Sequence, residues 1–426
     1  MQYVSYDRRT FQRTPYFAQM SQREQAHFKA LTHIYHFKVN RYVLENLIDW
    51  NQVPNDPVYR YLFPLPQMLA EEDLGNLMRF LDVGLDAGSL ANFIAQLRRK
   101  VAPKMKSAPS SVPKVNGTSI PGVYQTFESD ASLFPHPAVL TCHAYCNYCF
   151  RWTVFGNRAM QRNSSYQDPQ APVSWLRQHP EVTDLLITGA DPLMGSSKKL
   201  RQYILPLLEV EHVKSIDIST KSLAWWPFRF THAPDADDLL HLFEEVRQKG
   251  KHLGLIAHFT HPREIKMPIV ARAVERILRT GAVIRTQGPL IKGVNATART
   301  WSEMWNRQIT LGMVPFYMFL ESDHHPNRCF RIPIAESLRI FREALATSSS
   351  KARTVRGPVF MLDLNRVLLD GTTEVNGQKY FVLKTLQAPP GCNSEGDIKL
   401  VPYDEQAMDL GNLYHLFNHS EAVPTA

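Results

Sequence analysis

Short apolar runs alternate with amphipathic stretches through the middle of the chain. Six runs have the length and composition of buried strands: 138–141, 184–188, 215–219, 253–258, 282–286 and 314–319. The stretches with apolar residues at helical spacing include 198–208, 236–248, 267–280, 301–311 and 335–347. Six strand–helix units in about 210 residues predict a parallel sheet with right-handed crossovers. We therefore expect an α/β fold.

The two ends of the chain have other patterns. Residues 1–102 predict an N-terminal helical region, and residues 103–121, rich in Pro, Ser, Lys and Gly, predict a linker. The alternating region fills 122–347. Short β-like runs split by Asp-Gly and Asn-Gly turns predict a small C-terminal subdomain of mixed structure over 348–426. The helical stretches of the first region are 22–37, 67–81 and 91–101.

Polar groups follow every predicted strand. Parallel barrels carry their chemistry at the carboxyl ends of the strands, so these positions are the candidate site. In chain order the segments after the strands begin at Cys142, Thr188, Ser219, His258, Gln287 and Glu321. Packing alone does not explain polar residues at all six ends, and we expect a catalytic site there.

Three cysteines stand within eight residues after the first predicted strand: Cys142, Cys146 and Cys149. Closely spaced thiolates hold soft metals or clusters, and we interpret the loop as an iron–sulfur site. Three thiolates supply three corners of a [4Fe-4S] cube. One iron is therefore open to substrate or cofactor unless Cys329 or Cys392 folds back.

Two other interpretations of the cysteines stay open. Zinc could take the three thiolates together with His143, although structural zinc sites usually have two separated ligand pairs. Disulfides are disfavoured, because the five cysteines are few and odd in number and no signal peptide accompanies them.

The amino-acid composition bears on the cellular location of the protein and on its net charge. With 426 residues, 44% of them hydrophobic and 21% charged, the chain can bury a sizeable core. It shows no hydrophobic leader and no run of about 18 apolar residues, which predicts a cytoplasmic protein without a membrane partner. Lys and Arg exceed Asp and Glu by 48 to 40, a formal charge of +8. The excess is compatible with an anionic partner such as nucleic acid, but no RNA-recognition, zinc-finger or basic-tail signature supports one.

The cysteine spacing and its neighbours carry a family resemblance. Cys-x3-Cys-x2-Cys is the hallmark of radical S-adenosylmethionine (SAM) enzymes, and the following Phe150-Arg151 makes the chain resemble the lysine 2,3-aminomutase family. The resemblance extends from about Asn51 to Asp363. It implies a radical SAM partial (βα)6 barrel, a [4Fe-4S] cluster on the three cysteines, and cleavage of SAM to a 5′-deoxyadenosyl radical.

The resemblance also assigns residues to SAM. Segment 188–193 is similar to the family's Gly-Gly-Asp-Pro stretch, and segment 219–221 to its Gly-Ser-Arg strand end, with Lys221 as the cation for the SAM carboxylate. Segments 258–264 and 287–295 resemble the family's His-Phe-Asn-His-Pro-Asn-Glu and Gln-Ser-Val-Leu-Leu-Arg-Gly-Val-Asn. The implied SAM-binding residues are Gly189, Ala190, Asp191, Ser219, Lys221, His258 and Gln287.

The resemblance is incomplete at the substrate and at pyridoxal phosphate (PLP). Arg151 matches the arginine that binds the substrate carboxylate in the family, a role that suits a bidentate guanidinium. Asp323 and Asp363 are the candidates for binding the rest of the substrate. The family's PLP lysine follows an aspartate in a glycine-rich stretch, but residues 364–370 contain neither glycine nor lysine. No PLP lysine is identified, and PLP stays an open cofactor.

Three hypotheses follow. The first is a radical SAM isomerase of the aminomutase type that abstracts hydrogen from an amino-acid-type small molecule, with amino-group migration or a related isomerisation. The second keeps this chemistry but places the amino-acyl group on a modified nucleotide or nucleic acid. The third is a non-catalytic metal-binding scaffold. The first two imply an external electron donor of the flavodoxin or ferredoxin type, and we expect a homo-oligomer.

Overall fold

The computed structural model describes residues 1–84, 86–102, 113–115, 117–149, 151–155, 157–321, 328–362 and 364–409. Two predicted substrate residues, Asp323 and Asp363, lie outside these ranges, as does most of the predicted linker. In the described part of the chain, eleven strands form one mixed sheet.

The N-terminal region consists of helices around one short strand pair. Strand β1 (Ser5–Asp7) pairs in antiparallel fashion with β2 (Lys38–Asn40). The helices are α1 (Arg8–Phe11), α2 (Pro15–Gln19), α3 (Gln22–Leu31), α4 (Arg41–Asn46), α5 (Pro57–Leu62), α6 (Glu71–Val83) and α7 (Ala87–Val101). The three predicted helices are confirmed as α3, α6 and α7, with shifted ends. A capping box of Ser21 and Glu24 begins α3, and the left-handed Gly84 ends α6.

The central region alternates strands and helices. Its strands are β3 (Lys114–Val115), β4 (Thr118–Ser119), β5 (Val123–Gln125), β6 (Asp130–Leu133), β7 (Asp184–Ile187), β8 (Ser215–Thr220), β9 (His252–His258), β10 (Val283–Leu290) and β11 (Val314–Leu320). Its helices are α8 (His136–Val139), α9 (Arg158–Asn163), α10 (Gln170–Leu176), α11 (Ser197–Leu208), α12 (Ser222–Trp225), α13 (Ala236–Gln248), α14 (Arg263–Lys266), α15 (Pro268–Arg279), α16 (Ala298–Thr310) and α17 (Ile334–Ala346). Strands β6 to β11 lie side by side in chain order and are all parallel, which confirms the predicted α/β architecture.

The first predicted strand is wrong. The pattern predicts a strand over 138–141, but α8 covers the start of that run and the strand that joins the sheet is the earlier β6. Pro137 stands in the first turn of α8, where its fixed φ suits a helix and its missing N–H costs nothing. A run of three apolar residues and a threonine does not by itself distinguish a strand from a short helix. The cysteine loop therefore follows a helical turn rather than a strand end.

The last strands extend the same sheet. They are β12 (Arg356–Leu362), which is parallel to β11, and then β13 (Asn365–Val375), β14 (Gln378–Gln387) and β15 (Ile398–Pro402), each antiparallel to its neighbour. Asn376 and Gly377 have positive φ and form the turn between β13 and β14, as the Asn-Gly pair predicts. The domain boundary predicted at residue 348 thus precedes strands that continue the central sheet.

The sheet curls until strands from its two ends meet. Gln387 Nε2, at the end of β14, donates to Asp130 Oδ2, at the start of β6, over 3.4 Å. The Arg366 guanidinium of β13 lies 4.9 Å from the centre of the Phe127 ring. Because β6 and β14 are far apart in the strand order, these contacts require a closed curve. The parallel strands form a partial barrel, and the C-terminal hairpin lies across its open side.

One large apolar core joins the helices to the sheet. Its largest fully buried side chains include Trp225, Trp301 and Trp305. A smaller apolar cluster lies between α17 and strands β12 to β15. None of the described helices is long and apolar enough to cross a membrane.

Candidate active site

A cavity of about 460 Å³ opens at the carboxyl ends of the parallel strands. Ten residues predicted from the sequence line it: Cys142, Cys146, Cys149, Arg151, Gly189, Ala190, Asp191, Ser219, Lys221 and His258. Gln287 contacts one of them, whereas Asp323 and Asp363 lie outside the described residues. The fold therefore gathers segments that are up to 145 residues apart, and the cofactor and substrate roles of these side chains stay predictions.

The three cysteine thiols share this cavity. Burial raises the pKa of Cys146 to about 12 and that of Cys149 to about 11, and it also raises the pKa of Cys142 well above the ordinary value for a thiol. Thiolate ligation by a metal would replace the protons that burial favours. All five cysteines are described and none forms a disulfide; Cys329 and Cys392 do not line the cavity.

Backbone contacts with the N-terminal region hold the cysteine loop. The Asn147 N–H donates to Tyr61 O over 2.8 Å, and its Nδ2 donates to Arg60 O and Phe63 O over 3.1 and 2.5 Å. These acceptors lie at the end of α5. The N-terminal helices thus position the thiols, as well as packing against the barrel.

His143, the alternative zinc ligand, faces another direction. Its Nε2 lies 2.8 Å from the Ser222 hydroxyl, and its ring packs edge-on against Tyr3 at a centroid distance of 5.6 Å. Burial lowers its pKa well below the ordinary value for histidine. His143 does not line the cavity with the thiols, so the described geometry gives no support to a Cys₃His zinc site.

Gly189 lets the end of β7 pass close to α8. The φ of Gly189 is 149°, and the next N–H, of Ala190, donates to Ala138 O over 2.7 Å. A Cβ at position 189 would lie 2.7 Å from that same oxygen. The glycine is therefore required by the packing of the protein itself, independently of any ligand.

The Asp191 carboxylate joins the ends of β7 and β8. It accepts from the N–H groups of Leu193 and Lys221, at 3.0 and 2.9 Å, and from the hydroxyls of Thr220 and Ser222, at 2.9 and 3.3 Å. Burial raises its pKa to about 6, while these hydrogen bonds oppose the rise. Because the carboxylate already accepts these hydrogen bonds, the backbone of this segment, rather than the Asp191 side chain, would contact SAM.

Lys221 is a buried cation that already has a protein partner. Its Nζ donates to Glu264 Oε1 over 2.8 Å and lies 4.3 Å from the centre of a Trp225 ring. The resemblance assigns Lys221 to the SAM carboxylate, and the structure pairs it with Glu264 at the edge of the cavity. A ligand carboxylate would have to share this cation.

Glu264 is the centre of a network that the sequence did not reveal. Fully buried, it accepts from Lys221, from the Tyr61 hydroxyl at 2.6 Å, from the Trp225 indole at 3.2 Å and from the Thr260 N–H at 2.5 Å. Burial alone would raise its pKa, but the Lys221 charge and the hydrogen bonds outweigh burial and lower it. The carboxylate ties α5 to the ends of β8 and β9.

His258 and Gln287 meet at the ends of β9 and β10. Their Nε2 atoms lie 2.7 Å apart, so that the Gln287 amide donates and the imidazole accepts. Burial lowers the pKa of His258 to about 4, and the Lys221 charge adds to this effect. His258 is therefore a neutral imidazole near pH 7 that carries its proton on Nδ1.

Arg151 brings a cation into the cavity and has no ion-pair partner in the described part of the chain. Its guanidinium lies 4.8 Å from the centre of the Phe134 ring. Burial lowers its pKa, and the Cys149 and Cys142 thiols oppose that shift. A carboxylate ligand would supply the missing counter-charge.

Glu321 lines the cavity, although no role was predicted for it from the sequence. It follows β11, two positions before the predicted Asp323. The available signal was its place after a strand. Phe360 and Met361 of β12 also line the cavity, and they were missed because the C-terminal strands were predicted to be a separate unit.

The residues present fit a cluster and SAM better than PLP. Three buried thiols line one cavity, and they match in number the protein donors of a [4Fe-4S] cluster with one iron left for another ligand. The described His, Cys, Asp and Glu side chains form no group of three that could hold a single metal ion. Among the described lysines, Lys221 lines the cavity but is paired with Glu264. Lys379 stacks on Tyr403 and Lys384 is exposed, so neither offers a free amine to PLP there.

Comparison with known proteins finds relatives named L-lysine 2,3-aminomutase. No protein-family model matches the chain. The chain is 29% identical to an Aquifex aeolicus protein provisionally named L-lysine 2,3-aminomutase, over 79% of this chain and 78% of that protein. It is 25% identical to the L-lysine 2,3-aminomutase of Escherichia coli K12 over 54% of this chain, and this match spans 63% of the enzyme. A crystal structure of a radical SAM methyltransferase from Sphaerobacter thermophilus aligns with a TM-score of 0.36 at 15% identity, over 55% of this chain and 67% of the other.

Proposed function

We propose that this chain, which is similar to proteins named L-lysine 2,3-aminomutase, is a radical SAM isomerase that takes a hydrogen atom from an amino-acid-type substrate. One observation carries the proposal: three thiols, a cation without an ion-pair partner among the described residues and a carboxylate line the same cavity. When bound, a [4Fe-4S] cluster and SAM supply a 5′-deoxyadenosyl radical, chemistry that side chains cannot provide.

The cofactor residues would divide into two groups. Cys142, Cys146 and Cys149 would hold the cluster, and the ends of β7 to β10 would surround SAM. Asp191 and Glu264 fix these strand ends in place through their buried hydrogen bonds. Preorganised polar groups of this kind cost no reorganisation when a ligand binds.

Two side chains would recognise the substrate. Arg151 would bind its carboxylate through a bidentate pair, and Glu321 would receive its ammonium group. Phe319, Phe360 and Met361 line the cavity between polar groups and would exclude water from the reacting carbon. A zwitterionic amino acid presents both charges at once, which favours this substrate class.

PLP is not part of the proposal, because no described lysine in the cavity has a free amine. Amino-group migration in the manner of the named relatives would need another carrier for the amine. A different isomerisation, or hydrogen abstraction alone, needs none. The electron would come from an external flavodoxin- or ferredoxin-type donor.

The test uses anaerobically reconstituted full-length protein with dithionite and SAM. We expect about four irons per chain and formation of 5′-deoxyadenosine. Cys142→Ala/Cys146→Ala/Cys149→Ala should lose both, whereas Cys392→Ala, at an exposed cysteine outside the cavity, should keep both. Zinc in place of iron, or a cluster that never cleaves SAM, would leave the scaffold hypothesis standing and reject the enzyme.

The substrate class is tested by adding single L-amino acids to the same assay. An amino acid that binds the cavity should stimulate 5′-deoxyadenosine formation, and Arg151→Met should raise its KM at least about 10-fold, since a charged hydrogen bond is lost. Arg177→Met, at an exposed arginine outside the cavity, is the matched control and should leave KM unchanged. Equal KM values in both variants would reject the role of Arg151.

A further inference from the structure

A groove rich in cations crosses the N-terminal region, away from the cavity. Two depressions, of about 660 and 400 Å³, meet at Arg8, Arg9 and Thr32. Lys29 and His33 line the first, and Arg98 and His36 line the second. We call this surface, formed by α1, α3, α6 and α7, the basic groove.

The side chains of Arg8 and Arg98 hydrogen-bond only to neutral groups among the described residues. Arg8 Nη1 donates to Thr32 O over 3.5 Å and to His33 Nδ1 over 3.2 Å. Arg98 donates from Nε and Nη2 to His33 O over 3.2 and 2.8 Å. No carboxylate of the described chain forms an ion pair with Arg8, Arg9 or Arg98, whereas Arg201, Arg229 and Arg339 each pair with a carboxylate.

The carboxylates in the groove do not neutralise it. Asp7 and Asp82 are the two that line it in the described structure. The Asp7 carboxylate caps the N-terminus of α1. Its Oδ1 accepts hydrogen bonds from the Arg9 and Thr10 N–H groups and from the Thr10 hydroxyl. Four permanent cations therefore face two carboxylates, one of them already engaged.

The cations also act on one another. Burial lowers the pKa of Arg98, and the charge of Arg8 lowers it further. Burial lowers the pKa of His36 to about 4, and the charges of Arg98 and Arg8 contribute. Close like charges of this kind cost free energy that a bound anion would recover.

The groove is connected to the cysteine loop through segment 32–38. Arg98 holds this segment at His33 O, and the Tyr35 ring packs against Trp152 at a centroid distance of 5.7 Å. Lys38 Nζ donates to Thr141 Oγ1 over 2.8 Å, next to the first cysteine. An anion in the groove would therefore bind to the same structural unit that holds the loop.

We propose that the basic groove binds the phosphate backbone of a single-stranded nucleic acid. Guanidinium groups match phosphate oxygens in geometry and charge. The cations are spread over two joined depressions, which suits several successive phosphates better than one. The amides of Gln12, Gln22 and Gln25 add donors and acceptors for sugar and base. This binding site shares no lining residue with the cavity and is independent of the radical chemistry.

The test is fluorescence anisotropy of reconstituted full-length protein with a labelled single-stranded RNA of mixed sequence, with DNA of the same sequence as a second probe. Binding should weaken as salt rises from about 50 to about 200 mM. Arg8→Gln/Arg98→Gln should weaken it at least about 10-fold and lower the slope of log Kd against log salt by about 1.4, at about 0.7 per phosphate contact.

The matched control is Arg279→Gln/Arg339→Gln, which removes the same charge from arginines that are 75% and 58% exposed on α15 and α17. It should leave the Kd and the slope unchanged. Arg9→Gln/Lys29→Gln, at exposed groove positions, should repeat the weakening if the first variant folds poorly.

Three outcomes would overturn the proposal. The first is no oligonucleotide binding even at low salt, and the second is equal weakening by the groove and control variants, which would show a net-charge effect. The third is competition by inorganic phosphate as effective as by unlabelled RNA, which would show a site for the free ion. None of these readouts depends on SAM cleavage, so the proposed isomerase activity stands or falls separately.

Discussion

Asp217 carries a carboxylate into the barrel below the cavity. It precedes Ser219 by two residues on β8 and so faces the same side of the strand. Its Oδ1 is buried without a hydrogen-bond partner among the described residues. A Cβ on Gly254 of the neighbouring strand would lie 1.9 Å from that oxygen, so glycine there makes room for the carboxylate. The barrel interior therefore contains a buried polar atom without a hydrogen-bond partner among the described residues, which costs folding free energy.

The ionisation of Asp217 should destabilise the protein above acidic pH. Burial raises its pKa from 3.8 to about 6; Asp184 and Asp130 add to the rise, and Arg285 opposes it. A raised pKa means that the folded state holds the proton more tightly than the unfolded state. The stability gained from this proton is present below about pH 4 and lost as the pH rises through about 6.

Asp217→Asn should therefore stabilise the protein relative to wild type by about 2 kcal/mol more at pH 7.5 than at pH 4. The amide keeps the shape and carries no charge. The measurement is the free energy of urea unfolding of both proteins at the two pH values. An equal effect at both would mean that Asp217 does not titrate with a raised pKa.

At the scale of elements, the contact of the β7 end with α8 decides where the cysteine loop begins. Ala138 O accepts from Ala190 N–H, and Gly189 has no side chain to block this approach. The helical turn α8 and the strand end are thus fixed to each other just before the first thiol. Here the chain needs glycine for packing, in the same segment that the resemblance assigns to SAM.

Gly189→Ala should cost about 3 kcal/mol of stability, because it combines overpacking against Ala138 O with an unfavourable φ. Gly250→Ala is the matched control: Gly250 has a φ of 74° and open space around its Cβ position, so backbone strain alone should cost about 1 kcal/mol. Unfolding free energies of the two variants test this. If the two variants lose equal stability, the close approach of Gly189 to α8 does not restrict the side chain at position 189.

At the scale of the whole molecule, buried charges join the N-terminal helices to the barrel. Glu264, on α14, accepts hydrogen bonds from Lys221, just after β8, and from Tyr61 of α5. Asp56, which caps α5, forms an ion pair with Arg263. The N-terminal region is therefore part of the structural support for the site, and its removal should release the cysteine loop.

Glu264→Gln should destabilise the protein by about 3 to 5 kcal/mol, because it leaves the Lys221 charge buried without a counter-charge. Glu264→Gln/Lys221→Met should recover part of that loss, since the uncompensated charge is gone. Glu303→Gln, which removes an exposed partner of Lys266, should cost less than about 1 kcal/mol. A double variant no more stable than Glu264→Gln alone would argue against coupling of the buried pair.

The sequence by itself determined the parallel α/β order, the thiol loop and most of the strand-end residues that line the cavity. These follow from local properties: apolar period, cysteine spacing and polar residues after strands. It could not separate a strand from the helical turn α8, because so short an apolar run fits both. Tertiary structure alone decided that Lys221 pairs with Glu264, that Glu321 and β12 line the cavity, and that Arg8 and Arg98 share one groove. These contacts join residues distant in the chain, and only packing sets which distant residues meet.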